Sequence, residues 1–410
     1  MSELSVTMKL HIHTDAKGDR CFREFTERYA SACTYVSQYV FDNRFPLNYM
    51  TLHETLYRKV RSSFGLKSQM AQSVFKTVTA RYKTIKEQLY HNPYKYQDED
   101  GSWHYITKTL EWLWKPVVFH HPQADLVRNR DYSFVDSGNV ISINTLEKRV
   151  RVTFDKPEYF DQYFDRTWSF GTAKLVNLKG EWYLHIPMTK EMPDSDADIK
   201  PLHVVGMDRG LRFIVNTYDE SGKSYFVSGK DILRKRDKFA EVRAQLQSKG
   251  TRSAKRKLKA VSGRENRWMA DVNHQVSKAL VDMYGNNTLY VLEDLTGVSF
   301  DEDNLSSRTK HQRNQIRSWA FYQLEQFLIY KAQRNGSVVL KVPADYTSQR
   351  CPKCGRIHKD NRHHDIHEYI CDSCGYRSND DRIGAMNLYE LGTMYVSGDT
   401  NPRFGPRKVN

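Results

Sequence analysis

Two cysteine pairs and three separated acids are the residues of this chain whose types and spacing could do chemistry. Cys351-x2-Cys354 and Cys371-x2-Cys374 are separated by 16 residues. Each CxxC turn presents two thiolates to one ion, and the finger between them returns the second pair to complete a tetrahedron. Gly follows each pair, in CPKCG and CDSCG, where a tight metal-binding turn favours a residue tolerant of positive φ. The spacing predicts one Zn²⁺ held by Cys351, Cys354, Cys371 and Cys374. With sulfur in all four positions no place is left for a substrate, so the ion is expected to be structural. His358, His363, His364 and His367 lie in or beside this finger, as alternative ligands or as surface and nucleic-acid contacts.

The acids are Asp208, after the apolar run LHVVG, Glu293, at the end of LYVL, and Asp381, at the start of RIGAMNLYELG. Taken singly, each is an ordinary strand-end or helix-start residue, since acids at a helix N-terminus are favourable for the helix alone. Taken together, three carboxylates from two strands and one helix of an α/β domain can gather around divalent ions. Mg²⁺ is a hard cation that prefers oxygen ligands. Two such ions roughly 3.5–4 Å apart can activate a water and stabilise the leaving 3′ oxygen of a phosphodiester.

The charge distribution points the same way. The chain carries a net +14 with a pI near 9.3, which suggests a polyanionic partner. Residues 230–267 alone hold 14 Lys and Arg against 4 Asp and Glu. That imbalance is too one-sided for salt-bridge lacing and predicts contacts to a phosphate backbone. Arg234, Lys235, Arg236, Lys255, Arg256, Lys257 and Lys259 are the candidates. Such contacts position a nucleic acid without reading its sequence.

The elements that must position these groups fall into a sequence of textures. SVTMKLHIH alternates like a single strand, and residues 20–115 show apolar positions at helical steps. Residues 116–195 turn to short alternating runs, NVISIN, RVRVTF, TAKLVNL and EWYLHIPMT, with turns at Asp136-Ser137-Gly138 and Lys179-Gly180. A lone first strand followed later by many strands suggests a β-barrel interrupted by a helical insertion. From residue 202 onward strands interleave with helices: LHVVGMD, a hairpin turning at Glu220-Ser221-Gly222, the basic helical stretch, NTLYVLED, a long helix over 313–336, and VVLKVPA. Residues 396–410 are polar and rich in Gly and Pro, and are expected to form a disordered tail. Cys21 and Cys33 stand alone and are read as buried small hydrophobes. No run reaches the ~18 apolar residues of a membrane span. MSELSVTMKLHIHTD lacks the pattern of a signal peptide. A cytoplasmic protein is therefore expected.

Three stretches, GMDRGLRFIV (206–215), VLEDL (291–295) and DRIGAMNL (381–388), with the cysteine finger immediately before the last, resemble the TnpB family. These are RNA-guided DNA nucleases of bacterial and archaeal insertion sequences, related to the ancestors of compact type V CRISPR effectors. ADYTSQRCPKCG and RENRWMADVNHQVSKALV also look like family text. The strong resemblance covers roughly residues 200–390, and GEWYLHIPMTKE extends it more weakly.

The resemblance implies a multidomain α+β protein. Its parts would be an RNase H-like (RuvC) nuclease domain at 199–347 and 378–395, an inserted zinc ribbon at 348–377, and a wedge-type β-barrel at 1–18 and 116–198. A helical recognition domain at 19–115 would interrupt the barrel. Asp208, Glu293 and Asp381 would be the Mg²⁺-binding catalytic triad, with Asp381 preferred to Asp380 by its register to Ala385, Asn387 and Leu388. Ile383 departs from the Asn common there, which puts one contact behind the metal ligands in question. The implied partners are a guide RNA and target DNA in a bacterial or archaeal, nucleoid-associated setting. Guide pairing beside a short duplex motif would precede cleavage. A CRISPR-derived guide and a cleavage-deficient guided regulator remain alternative readings.

Overall fold

The computed structural model describes residues 2–135, 139–192, 203–295, 309, 321–363 and 366–405. The turn at 136–138, His364, residues 313–320 of the long helix and the last five residues lie outside this set. The chain divides into two units, Met1–Met192 and Pro193–Asn410.

In the first unit the opening strand β1 (Ser2–His13) buries Leu4, Met8, Leu10 and Ile12 at alternate positions. Three helices follow, α1 (Ala16–Asp42), α2 (Tyr49–Phe64) and α3 (Ser68–Tyr90). Asp15 caps the first through a bond from the Gly18 amide, and Asn48 caps the second. The expected helical texture then gives way to a hairpin, β2 (Tyr94–Gln97) and β3 (Trp103–Ile106), turning at Gly101. Strands resume as β4 (Gln123–Leu126), β5 (Tyr132–Val135), β6 (Val140–Asn144), β7 (Arg149–Phe154), β8 (Ser169–Phe170), β9 (Ala173–Leu178) and β10 (Glu181–Met192). They pair antiparallel in the order β4-β9-β10-β1-β7-β6-β5, with β8 on β10. Among the described residues the ladders of this eight-stranded sheet run from β4 to β5, and an isolated bridge joins Arg128, just past β4, to Tyr132 at the start of β5. The Lys179-Gly180 turn joins β9 to β10 with both residues at positive φ. Cys33 is buried and Cys21 partly so.

The second unit is built on β11 (His203–Asp208), β12 (Phe213–Asp219), β13 (Ser224–Ser228), β14 (Thr288–Glu293) and β15 (Val338–Val342). Their order is β13-β12-β11-β14-β15, antiparallel from β13 to β11 and parallel from β11 to β15. Between β13 and β14 lie α4 (Lys230–Lys249) and α5 (Arg252–Tyr284), broken by Gly250 at φ +61°. The helix α6 (Phe321–Arg334) precedes β15. The chain then forms the small sheet β16 (Arg362–His363), β17 (Glu368–Ile370) and β18 (Arg377–Asn379), and closes with α7 (Asp380–Val396).

Alternation along the central strands sorts the core. Val205, Met207, Tyr290 and Leu292 face α5 and α6. Val204, Leu289 and Val291 face α7, against Leu388 and Leu391. Phe404 joins this second cluster at 7% exposure, and the Arg350 guanidinium stacks on its ring at 4.3 Å. The described part of the expected tail, up to residue 405, is therefore packed through Phe404, because an aromatic anchor inside the polar run finds the apolar seam beside α7.

Candidate active site and zinc ribbon

Parity places two of the three acids. Asp208 continues the Val204–Gly206 side of β11, and Glu293 continues the Leu289–Val291 side of β14. Both strands run parallel with Met207 opposite Leu292, so the two carboxyls leave neighbouring strand ends on the face covered by α7. That helix lies unusually close to β11. A Cβ on Gly206 would stand 2.1 Å from the Ala385 carbonyl oxygen, and one on Gly384 would stand 2.8 Å from Asp208 Oδ2. Only glycine at these two positions lets the N-terminal turn of α7 reach the strand ends.

Asp381 sits in that first turn, where the Asn379 side chain accepts its amide at 3.1 Å. Asn216, opposite Asp208 on β12, donates to the Asp381 carbonyl at 2.7 Å. The three sequence-predicted acids are thus gathered, and their electrostatics register it. Burial, then the nearby Glu293 and Asp381, push the Asp208 carboxyl up to about 7, against the pull of Arg362. Burial also raises Glu293 and Asp381, the latter with help from Asp380. Asp380, itself almost fully buried, meets Arg362 at 3.3 Å and His367 at 3.8 Å, and the same Arg362 also reaches Asp381.

Several residues around the acids are given no contact by the sequence, although most lie in the stretches that carry the resemblance. The Thr347 hydroxyl donates to the Glu293 carboxylate. Arg212 Nη1 and Arg362 Nη2 lie 3.4 and 3.3 Å from opposite oxygens of Asp381. Arg209 turns the other way, donating at 2.6 Å to the Glu293 carbonyl and pairing at 2.9 Å with the buried Glu325. Asn387, fully buried, donates to the carbonyls of Thr347 and Arg350, which ties the loop before the cysteines to α7. Thr347 lies within ADYTSQRC, the stretch that already stood out by resemblance.

The cysteine ribbon is the second constellation. Cys351 and Cys374 sulfurs stand 3.7 Å apart, Cys354 and Cys371 3.6 Å, and all four lie within 4.8 Å of one another. A Zn–S bond of about 2.3 Å implies a tetrahedral edge of about 3.8 Å. The four sulfurs therefore fit zinc. The two knuckles repeat one turn: Gly355 and Gly375, at φ +77° and +68°, each donate back to the carbonyl of the first cysteine. The Arg356 amide draws the Cys354 thiol down to about 7, whereas burial pushes Cys351 up to about 12.

The ribbon is joined to the acids. Cys351, Cys371, Tyr369 and Ile383 form one buried cluster, and Arg362 on β16 reaches Asp380 and Asp381. Ile383, the departure from the family pattern, is wholly buried against the ribbon. Its apolar side chain makes a packing contact there. His358 and His363 are partly exposed, and His367 sits beside the two aspartates.

The basic segment forms the α4–α5 hairpin. Lys255, Arg256, Lys257 and Lys259 are exposed around a buried stripe of Ala254, Leu258 and Val261. Arg234 is exposed and pairs with Asp231 at 3.1 Å, and Lys235 lies 4.4 Å over the Trp268 ring. Arg236 departs from the expected row of phosphate contacts. It is 9% exposed and turned toward Glu265, which also accepts Arg243, so its charge serves the hairpin interior.

Two family models match separate stretches: "Probable transposase" over residues 185–297 and the "Cas12f1-like, TNB domain" over residues 321–388. The CRISPR-associated endodeoxyribonuclease Cas12f1 of Syntrophomonas palmitatica is 27% identical over 271 residues, 62% of this chain and 50% of that protein. A TnpB-like protein of Methanocaldococcus jannaschii is 24% identical over 268 residues, 63% of this chain and 92% of that one. The chain spans about half the length of the Cas12f1 proteins it matches. In fold it is similar to a Cas12f1 solved in a complex with guide RNA and target DNA, with a TM-score of 0.56 and 12% identity over 92% of this chain and 83% of that one. No helix among the described residues is long and apolar enough to cross a membrane. By these matches the chain is similar to TnpB-like proteins and to the Cas12f1 endodeoxyribonucleases.

Proposed function

We propose that this chain is an RNA-guided DNA endonuclease whose second unit is an RNase H-like (RuvC) nuclease domain. The observation that carries the reading is the convergence of Asp208, Glu293 and Asp381 at two parallel strand ends and one helix N-terminus. Burial first, and then the neighbouring Glu293 and Asp381 charges, hold a proton on Asp208 near neutral pH, an environment that a bound cation would relieve. Magnesium suits three such carboxylates, and bound there it would supply the charge that activates a water and stabilises the leaving 3′ oxygen. The chain's own work is positioning. Thr347 fixes the Glu293 carboxylate, Asn216 and Asn379 hold the Asp381 backbone, and Gly206 and Gly384 let α7 close on β11.

In the same reading the first unit supplies the wedge strands, 1–18 and 116–198, and the recognition helices, 19–115. The exposed cations of α4 and α5 hold phosphate backbone. The ribbon, 348–377, sets the angle of α7 through Ile383 and Arg362. The partners are a guide RNA and target DNA, in the cytoplasm of a bacterium or archaeon. A cleavage-deficient guided regulator is the weaker reading, because it has no use for three intact, converging acids.

The test is purification of the chain with its RNA, sequencing of that RNA, and incubation with a matching duplex and Mg²⁺. Cleavage is expected for the wild type. Asp208→Asn and Glu293→Gln should each lower the rate by several orders of magnitude while RNA-dependent DNA binding persists. Undiminished cutting by both variants would reject the assignment.

A further inference from the structure

The first unit carries a second group of metal-type ligands that the nuclease reading does not use. His11 and His13 project from the same face of β1, on either side of the buried Ile12. Asp155 lies one residue beyond β7, its amide bonded to the His11 carbonyl at 3.0 Å. Its two carboxylate oxygens meet the two imidazoles separately. Oδ2 is 2.7 Å from His11 Nδ1, and Oδ1 is 2.7 Å from His13 Nε2. The other nitrogen of His11, Nε2, is 3.1 Å from Glu181 Oε2, at the first residue of β10. The rings are fixed as well: His11 stacks on Tyr183 at 5.0 Å and meets His13 edge-on at 4.5 Å.

We infer that His11, His13 and Asp155 form a second transition-metal site, a two-imidazole, one-carboxylate set suited to Zn²⁺ and distinct from the four cysteines. Three observations converge on it. The ligand atoms lie within 4.8 Å of one another. Two imidazoles with a carboxylate form a borderline donor set that selects zinc-like ions over Mg²⁺. A carboxylate on the far nitrogen of a ligating histidine is the outer partner that fixes its tautomer and orientation, and Glu181 stands in that position. Admitting the ion opens each 2.7 Å contact to the edge of a zinc tetrahedron, about 3.4 Å, a movement half-exposed side chains can make. The remaining coordination position faces solvent, since His13 and Asp155 are 49% and 57% exposed. The bound ion joins β1, β7 and β10 at the point where the chain leaves the sheet for α1.

The experiment uses the full chain with its cysteine zinc in place. The protein is equilibrated with Zn²⁺ and desalted, and zinc is counted by mass spectrometry. Two ions per chain are expected for the wild type. One is expected for His13→Gln and for the double variant His13→Gln/Asp155→Asn. Glu181→Gln should retain the site with an affinity lower by about 10- to 100-fold. Circular dichroism and the retained cysteine zinc verify that the variants fold, and His104→Gln serves as a control that leaves the count at two. Titration of the one-zinc protein with Co²⁺ gives an independent readout. A tetrahedral nitrogen–oxygen site shows visible d–d bands without the sulfur charge-transfer bands of the cysteine site. One zinc per chain in the wild type would overturn the inference. So would a second equivalent that survives the double variant, which marks an adventitious ion only.

Discussion

At the scale of single residues, the protonation of Asp208 gives the site a pH dependence with a definite sign. Its folded value, about 7, lies above the ordinary carboxylate range because burial and the facing Glu293 and Asp381 disfavour its charge. A group raised on folding contributes stability that is complete below its unfolded value near 4 and is lost as pH rises through about 7. The metal-free protein should therefore melt at a lower temperature at pH 8 than at pH 5.5. Mg²⁺ should recover more of that loss at pH 8, where it no longer competes with the proton. Asp208→Asn should flatten both effects. Calorimetry of the two proteins across this range measures the difference, and parallel curves would remove Asp208 from the cation site. The three acids themselves stood out in the sequence only as a set, two at strand ends and one at a helix start, and through the resemblance, since each alone is ordinary at its position. Thr347, Arg212 and Asn387 fall inside the stretches that carry the resemblance and Arg362 outside them, but the contacts of all four were not legible, since each is made with a partner far along the chain. Arg362 lies 19 residues from the aspartate it pairs with, and Thr347 lies 54 from Glu293.

At the scale of elements, the site depends on how closely α7 approaches β11. Gly206→Ala puts a methyl carbon 2.1 Å from the Ala385 carbonyl oxygen, and both atoms belong to backbone held by a sheet or a helix. Neither can yield by a side-chain rotation, so the helix must lift away. Overpacking of this kind costs about 1–3 kcal/mol. Here it also moves Asp381 from Asp208. The expected result is a lowered melting temperature together with weaker Mg²⁺ binding. A variant that loses stability but keeps wild-type Mg²⁺ affinity would show that helix and strand can part without disturbing the acids. Strand and helix positions in both units follow the alternation and three-four spacing of the sequence closely. The β2–β3 hairpin does not, because its faces are exposed aromatic residues, among them Trp103 and Tyr105, with no buried side to set a period. Its turn, ending at Asp100-Gly101, was the one local signal available. The packing of Phe404 was hidden for the opposite reason: one anchoring residue in a polar run leaves no periodic trace.

At the scale of the whole molecule, the net charge of +14 is concentrated on the α4–α5 hairpin, and the structure divides that charge into two roles. Lys255, Arg256, Lys257 and Lys259 point to solvent, whereas Arg236 points inward at Glu265. Cations that touch phosphates release condensed counterions, so the logarithm of the binding constant falls linearly with the logarithm of salt concentration. The slope is about 0.9 per neutralised phosphate for duplex DNA and about 0.7 for a single strand. Replacing the four exposed residues of α5 by Gln should weaken nucleic-acid binding and reduce that slope by up to about 3.6 on duplex DNA or about 2.8 on a single strand, with little change in melting temperature. Arg236→Gln should do the reverse. It leaves Glu265 with one fewer buried cation, so it lowers the melting temperature and leaves the salt slope unchanged. Filter binding across a salt series, set beside thermal unfolding of the same two variants, separates the roles. Equal slopes for the wild type and the four-residue variant would move the backbone contact off this hairpin and leave its charge without the partner proposed for it.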